Sequence, residues 1–264
     1  MKQIPNIFTL LNLFFGCLAI VFILQNGMVA TSNEGGDLIL MLPERIYWAS
    51  AFIGIAAVID FLDGFVARLL KASSEMGKQL DSLADVVSFG VAPAMIVYQF
   101  LRLSFAQQPD GLEISAAWLL PAFIIPCAGA YRLARFNIDT EQSERFKGVP
   151  IPAVGLLTAS FPLIYWYSGS ETAITVLLNQ WFWFAYIAIV SWLMVSTLPM
   201  MALKFKDYSF INNMSKYLLI LAAIACAIFL QWMAVPLVFA IYVILSLATK
   251  APPRDVVVPH DVTK

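Results

Sequence analysis

Eight apolar stretches follow one another along this chain with only short polar gaps: roughly residues 5–26, 46–70, 79–103, 115–135, 152–169, 173–198, 214–231 and 234–250. About 20 mostly apolar residues are needed for a helix to cross a hydrocarbon core of about 30 Å, and inside that core the backbone must satisfy its own hydrogen bonds. Only 12% of the 264 residues are charged, against about 25% in soluble domains. The sequence therefore predicts an all-α, polytopic membrane helix bundle of about eight transmembrane helices. Residues 1–250 read as a single membrane domain and residues 251–264 as a polar tail, which holds the lone histidine, His260. The last two stretches, joined, would make a helix of about 55 Å, so a hairpin is expected near Trp232 and Pro236. The first stretch lacks a small-residue cleavage pattern and reads as a retained span rather than a signal peptide.

Lys and Arg fix the orientation. With both termini on the cytoplasmic side, 14 of the 16 basic residues fall on that side, leaving only Arg45 and Arg102 outside. A net charge of -1 gives no bulk attraction to nucleic acid. Cys17, Cys127 and Cys226 lie in separate apolar runs with no metal-type spacing, so they read as packing residues. Six tryptophans, at 48, 118, 166, 181, 183 and 232, fall near span ends and suit the headgroup layer, whereas Trp192 falls inside a span and reads as packing.

The run DFLDGFVARLLKASSEMGKQLDSLAD, residues 60–85, places Asp60, Asp63, Asp81 and Asp85 at or within the ends of two successive spans. A carboxylate at membrane depth is costly unless paired, hydrated or bound to a metal. Asp60 and Asp63 share one helix face at i, i+3, and Asp81 and Asp85 share another at i, i+4; the short connection predicts antiparallel neighbours whose acidic faces converge. Oxygen-only ligands suit Mg²⁺ or Mn²⁺, whereas zinc usually takes His or Cys. Gly64 and Ala67 would let a ligand approach the backbone or would simply let helices pack closely, and Arg68 would hold a phosphate or extend to the interface. Beyond residue 131, Arg132 and Arg135, with Asn137 and Lys147 following, form a basic cluster able to bind a carboxylate or phosphates, although the positive-inside rule alone also puts cations there. Transporters also use intramembrane aspartates, but no second half of this chain repeats the acidic motif.

Written as a spacing, the aspartate run is D-x2-D-G-x2-A-R-x8-G-x3-D-x3-D, with eight fixed positions in 26 residues. At every one of them it resembles the signature of the CDP-alcohol phosphatidyltransferase family. That resemblance implies a site of Mg²⁺ or Mn²⁺, two ions per site, held by Asp60, Asp63 and Asp81. Asp85 would complete a second metal position or act as the catalytic base, and Gly64, Ala67, Arg68 and Gly77 would bind the CDP-linked donor. IPNIFTLLNLFFG at 4–16, SFGVAPA at 88–94, YRLARFN at 131–137 and FKGVPIPA at 146–153 are similar to the phosphatidylserine synthase branch of the family. By that likeness Asn6, Thr9 and Asn12 would lie near the donor diphosphate, or else cap and pack the first helix. Arg132, Arg135, Asn137 and Lys147 would serve the acceptor carboxylate or the phosphates. The resemblance implies CDP-diacylglycerol as donor, L-serine as acceptor, and a homodimer in a bacterial or archaeal cell membrane with its site facing the cytoplasm. Glycerol 3-phosphate or an inositol phosphate is the alternative acceptor within the same chemistry.

Overall fold

A computed structural model of the chain describes residues 4–32, 35–36, 38–70, 74–138, 146–201 and 213–248. The expected tail 251–264, with His260, lies outside the described residues, as do several of the basic residues used for orientation, among them Lys2, Lys71 and Arg145.

Among the described residues ten α-helices carry the fold: α1 (Ile4–Gln25), α2 (Tyr47–Leu69), α3 (Glu75–Asp85), α4 (Ala92–Ala106), α5 (Ile124–Ile138), α6 (Ile151–Tyr167), α7 (Glu171–Leu177), α8 (Gln180–Val195), α9 (Met214–Leu230) and α10 (Ala234–Ala248). A π-helical segment, Val86–Val91, joins α3 to α4 without a break. Among the described residues two small antiparallel ribbons depart from the all-helical expectation: β1 (Val29–Ser32) with β2 (Leu38–Met41), and β3 (Phe146–Lys147) with β4 (Pro199–Met200). Both lie in connections, where a ribbon pairs backbone groups that no helix satisfies.

Within the described residues each of the eight apolar stretches is mostly helical. Among the described residues, five helical stretches are long and apolar enough to cross a membrane: Pro5–Gln25, Glu44–Leu69, Glu75–Ala106, Ala116–Ile138 and Met214–Ala248; a sixth is α7 with α8, if that pair, bent by 73°, is one span. By length, five or six stretches qualify, a test that counts Met214–Ala248 once and sets the shorter α6 aside. α6 has only 17 residues, and the 35-residue Met214–Ala248 is not straight. Gln231, at φ 48 and ψ −122, breaks its helical path, and α10 packs back along α9 and against α6. This is the hairpin expected near Trp232.

Helix α4 is the core element. Ile96, Val97, Phe100, Leu101 and Leu103 are buried, and the Phe100 ring stacks on Trp183 at 5.0 Å. Trp183 is fully buried, donates its indole N–H to Leu177 O at 2.8 Å, and leaves the exposed position on α8 to Trp192, which is 62% exposed. The expected roles of these two residues are exchanged because nine residues at 100° each put them on opposite helix faces. The cysteines depart from expectation too: Cys17 and Cys127 are exposed and Cys226 is half-buried, all three as free thiols.

Helix α1 lies along α2 for much of its length and also touches α3, while the backbones of α2 and α3 barely approach each other. The two acidic helices thus meet through their aspartate side chains, as the converging faces predicted, rather than through close backbone contact, and α1 packs against both.

Candidate active site

Ser74 caps α3, accepting the Gly77 N–H at 3.0 Å, which starts the helix so that Asp81 and Asp85 fall on its inner side. Asp60 and Asp63 come from the second half of α2. One carboxylate oxygen from each of Asp60, Asp63 and Asp81 lies within 4.8 Å of the others. Three carboxylates in this space repel one another unless a cation or a shared proton lies between them, and an oxygen-only donor set of this kind fits a hard divalent ion. Asp85 stands one turn further along α3, outside that group of three and 6% exposed.

Helix α1 positions two of the four carboxylates. The Thr9 hydroxyl donates to Asp63 Oδ2 at 2.8 Å, closer than its own Pro5 carbonyl at 3.2 Å. Asn12 Nδ2 donates to Asp85 Oδ1 at 3.3 Å. The Asn12 carbonyl in turn accepts from Ser88 Oγ at 3.0 Å, so the π segment, α1 and Asp85 form one connected unit. Asn12 and Thr9 are both buried; their polar groups face the aspartates. Asn6 reaches the start of α3, where a Cβ on Gly77 would stand 3.1 Å from its Oδ1.

Gly64 has open space beside it, with only Arg68 Nη1, at 3.5 Å, near where a Cβ would be. Ala67 is half-buried and Arg68 is exposed, so this turn of α2 offers a small-residue surface under a planar cation, suited to a phosphate. The second basic group separates. Arg132 is 5% exposed, its Nε has no partner among the described residues, and Asp85 and the Tyr242 phenol are electrostatic neighbours. Arg135 instead donates to Val195 O at 2.7 Å and Ser196 O at 2.9 Å, which closes the carbonyl end of α8. Asn137 joins α5 to α3, donating to Ser82 Oγ at 2.8 Å and accepting from Lys78 Nζ at 2.9 Å. Lys147 is exposed on β3.

Two residues near the site escaped the sequence reading. Ser88 was signalled only by its place in SFGVAPA. Tyr242 carries no sequence signal, being one tyrosine in an apolar helix remote from every motif.

An apolar helical bundle with three converging intramembrane carboxylates, a fourth beside them and arginines at their margins defines an integral membrane protein with an acidic site able to hold a metal ion. The family model described as CDP-alcohol phosphatidyltransferase matches residues 2–192, and the chain belongs to that family. Similar proteins carry the name CDP-diacylglycerol–serine O-phosphatidyltransferase. The one from Helicobacter pylori is 36% identical over 155 residues, covering 58% of this chain and 54% of the relative. The one from Bacillus subtilis is 33% identical over 171 residues, covering 62% and 78%. The one from Mycobacterium tuberculosis is 32% identical over 214 residues, covering 76% and 61%. The chain thus spans about half the length of the Helicobacter relative.

Proposed function

We propose that this protein transfers the phosphatidyl group of CDP-diacylglycerol to the hydroxyl of L-serine, giving phosphatidylserine and CMP. The observation that carries this reading is the meeting of Asp60, Asp63 and Asp81 oxygens within 4.8 Å, at the family's motif positions, with Asp85 one turn away. The names of the relatives support serine as the acceptor.

In this reading Asp60, Asp63 and Asp81 hold Mg²⁺ or Mn²⁺, and Asp85 serves a second ion position or the proton. A divalent cation there neutralises charge developing on the diphosphate oxygens. Gly64, Ala67 and Gly77 leave room for the donor beside the backbone, and Arg68 pairs with a donor phosphate. The serine Oγ forms the new bond to the phosphatidyl phosphorus as the bond to CMP breaks, and its proton passes to a carboxylate within reach, for which Asp85, held by Asn12, is the candidate. Arg132, buried and with an open N–H, takes the serine carboxylate. Arg135, Asn137 and Lys147 shape the rim of the acceptor side. The working protein is read as one membrane domain over residues 1–250 with a polar tail, a homodimer in a bacterial or archaeal cell membrane, open to the cytoplasm.

The test is CMP release by purified protein in detergent with CDP-diacylglycerol and Mg²⁺ or Mn²⁺, comparing L-serine, glycerol 3-phosphate, inositol phosphate and no acceptor. Serine-dependent release that EDTA stops is the expected result. Release with another alcohol alone would replace the product, and no release with any acceptor would overturn the reaction.

A further inference from the structure

Two of the four aspartates ride on a helix with little apolar surface to hold it. α3 spans 11 residues, and Ala84 and Asp85 are its buried ones. Packing of an apolar face fixes most helices in a fold, so α3 depends on polar ties. The Ser74 cap and the Asn12–Asp85 contact secure its two ends. A third tie reaches the stretch between them, from the last turn of α5.

Asn137 supplies this tie twice over. Its side-chain amide donates to Ser82 Oγ at 2.8 Å. Its carbonyl, one of those that a helix end leaves without a helical partner, accepts from Lys78 Nζ at 2.9 Å. Ser82 Oγ continues the chain by donating to Lys78 O at 3.2 Å. The same end of α5 is pinned on its other side, where Arg135 donates to Val195 O and Ser196 O of the α8 end. Lys78 and Ser82 are i, i+4 and form one stripe of α3; at about 100° per residue, that stripe stands roughly 60° around the axis from the stripe of Asp81 and Asp85. A bracket on the first stripe therefore sets the rotation of the second.

We propose that Asn137 is a positioning residue of the acidic site: from an end of α5 pinned to α8, it fixes the rotation of α3 and with it the approach of Asp81 to Asp60 and Asp63. Small rotations matter here. A side-chain tip stands about 5 Å from its helix axis, so turning α3 by about 20° carries the Asp81 carboxylate roughly 2 Å, well beyond the tolerance of about 0.2 Å on metal–ligand distances. The amide of Asn137 thus serves α3 and not the acceptor. This role rests on the reading of the three aspartates, whose oxygens lie within 4.8 Å of one another, as metal ligands; it is independent of which alcohol accepts the phosphatidyl group.

Mn²⁺ binding to the purified full chain in detergent, without substrates, is followed by the loss of the electron paramagnetic resonance signal of the free ion. Asn137→Ala and Ser82→Ala are each expected to weaken binding about fivefold, the equivalent of one hydrogen bond, and the double variant no further, since both remove the same bond. Ser82→Thr, which keeps the hydroxyl, is expected to bind like the parent. Should Asn137→Ala not fold, Ser82→Ala, which trims a half-buried side chain, tests the same bond. Unchanged Mn²⁺ affinity in both single variants, or losses that add in the double variant, would overturn the proposal. So would a raised KM for serine in Asn137→Ala at parental Mn²⁺ affinity, which would make Asn137 an acceptor ligand. A parent that binds no Mn²⁺, or that binds it no better than Asp63→Asn, would overturn the metal reading itself and the role of Asn137 with it.

Discussion

A carboxylate that binds a cation is defined by its charge, and its neighbours set how well it is held. Asp63→Asn and Asp81→Asn keep side-chain volume while removing a charged ligand, so both variants are expected to lose CMP release and still insert and purify as folded protein. Full activity in either variant would sink the site assignment. Thr9 acts one step back. Its hydroxyl holds Asp63 Oδ2 at 2.8 Å, and loss of such an outer contact typically costs about 10- to 100-fold in metal affinity. Thr9→Val is therefore expected to raise the Mg²⁺ or Mn²⁺ concentration needed for half-maximal activity while saturating metal restores turnover; Thr9→Ser should behave like the parent. A Thr9→Val enzyme with an unchanged metal requirement would make Thr9 a packing residue only.

At the scale of elements, the π segment Val86–Val91 ties the site to the core. Gly16 of α1 lies so close to Ser88 that a Cβ would collide with its Oγ and approach its Cα to 2.8 Å. Because the obstacle includes backbone, Gly16→Ala must push α1 away from the segment that follows Asp85. Overpacking of this kind costs about 1–3 kcal/mol. The expected result is a lower Tm for Gly16→Ala, which trimming Ser88 to alanine does not recover; an unchanged Tm would mean that the two elements separate freely. How far this was legible beforehand depends on the physics behind each signal. Hydropathy reports burial against lipid, so the apolar stretches and a hairpin near Trp232 and Pro236 could be read from the sequence, while the break itself falls at Gln231. Aspartate spacing reports helix faces, so the convergence of Asp60, Asp63 and Asp81 followed from it. The packing of α1 against both acidic helices was hidden, since it depends on tertiary contacts that spacing does not report. The exchange between Trp183 and Trp192 was hidden as well, because an α8 that is apolar on all sides gives no clue to which face meets Phe100. Arg132 and Arg135 looked alike in YRLARFN, and only the position of the α8 end, at Val195 and Ser196, separates them.

For the molecule as a whole, the open matter is what the α9–α10 hairpin does, since it lies beyond the family match at residues 2–192. It is docked at the same end as the acidic site: Met201 N donates to Ser246 Oγ at 3.2 Å, and the Tyr242 hydroxyl donates to Met201 O at 3.3 Å. Tyr242 also neighbours Arg132, whose other electrostatic neighbours include Arg135 and Asp85, so the hairpin meets the buried cation assigned to the acceptor carboxylate. If that cation orients serine, Tyr242 acts as its positioning residue, and removing the phenol must loosen acceptor binding more than it slows transfer. Tyr242→Ala is expected to raise the KM for serine about fivefold, the equivalent of a hydrogen bond of about 1 kcal/mol, with kcat and the metal requirement close to the parent values. Arg132→Lys, which keeps the charge but loses the planar fork, should shift the same parameter in the same direction. A Tyr242→Ala enzyme with a lower Tm and an unchanged serine KM would make the hairpin a structural buttress alone, and the acceptor site would then end at α5.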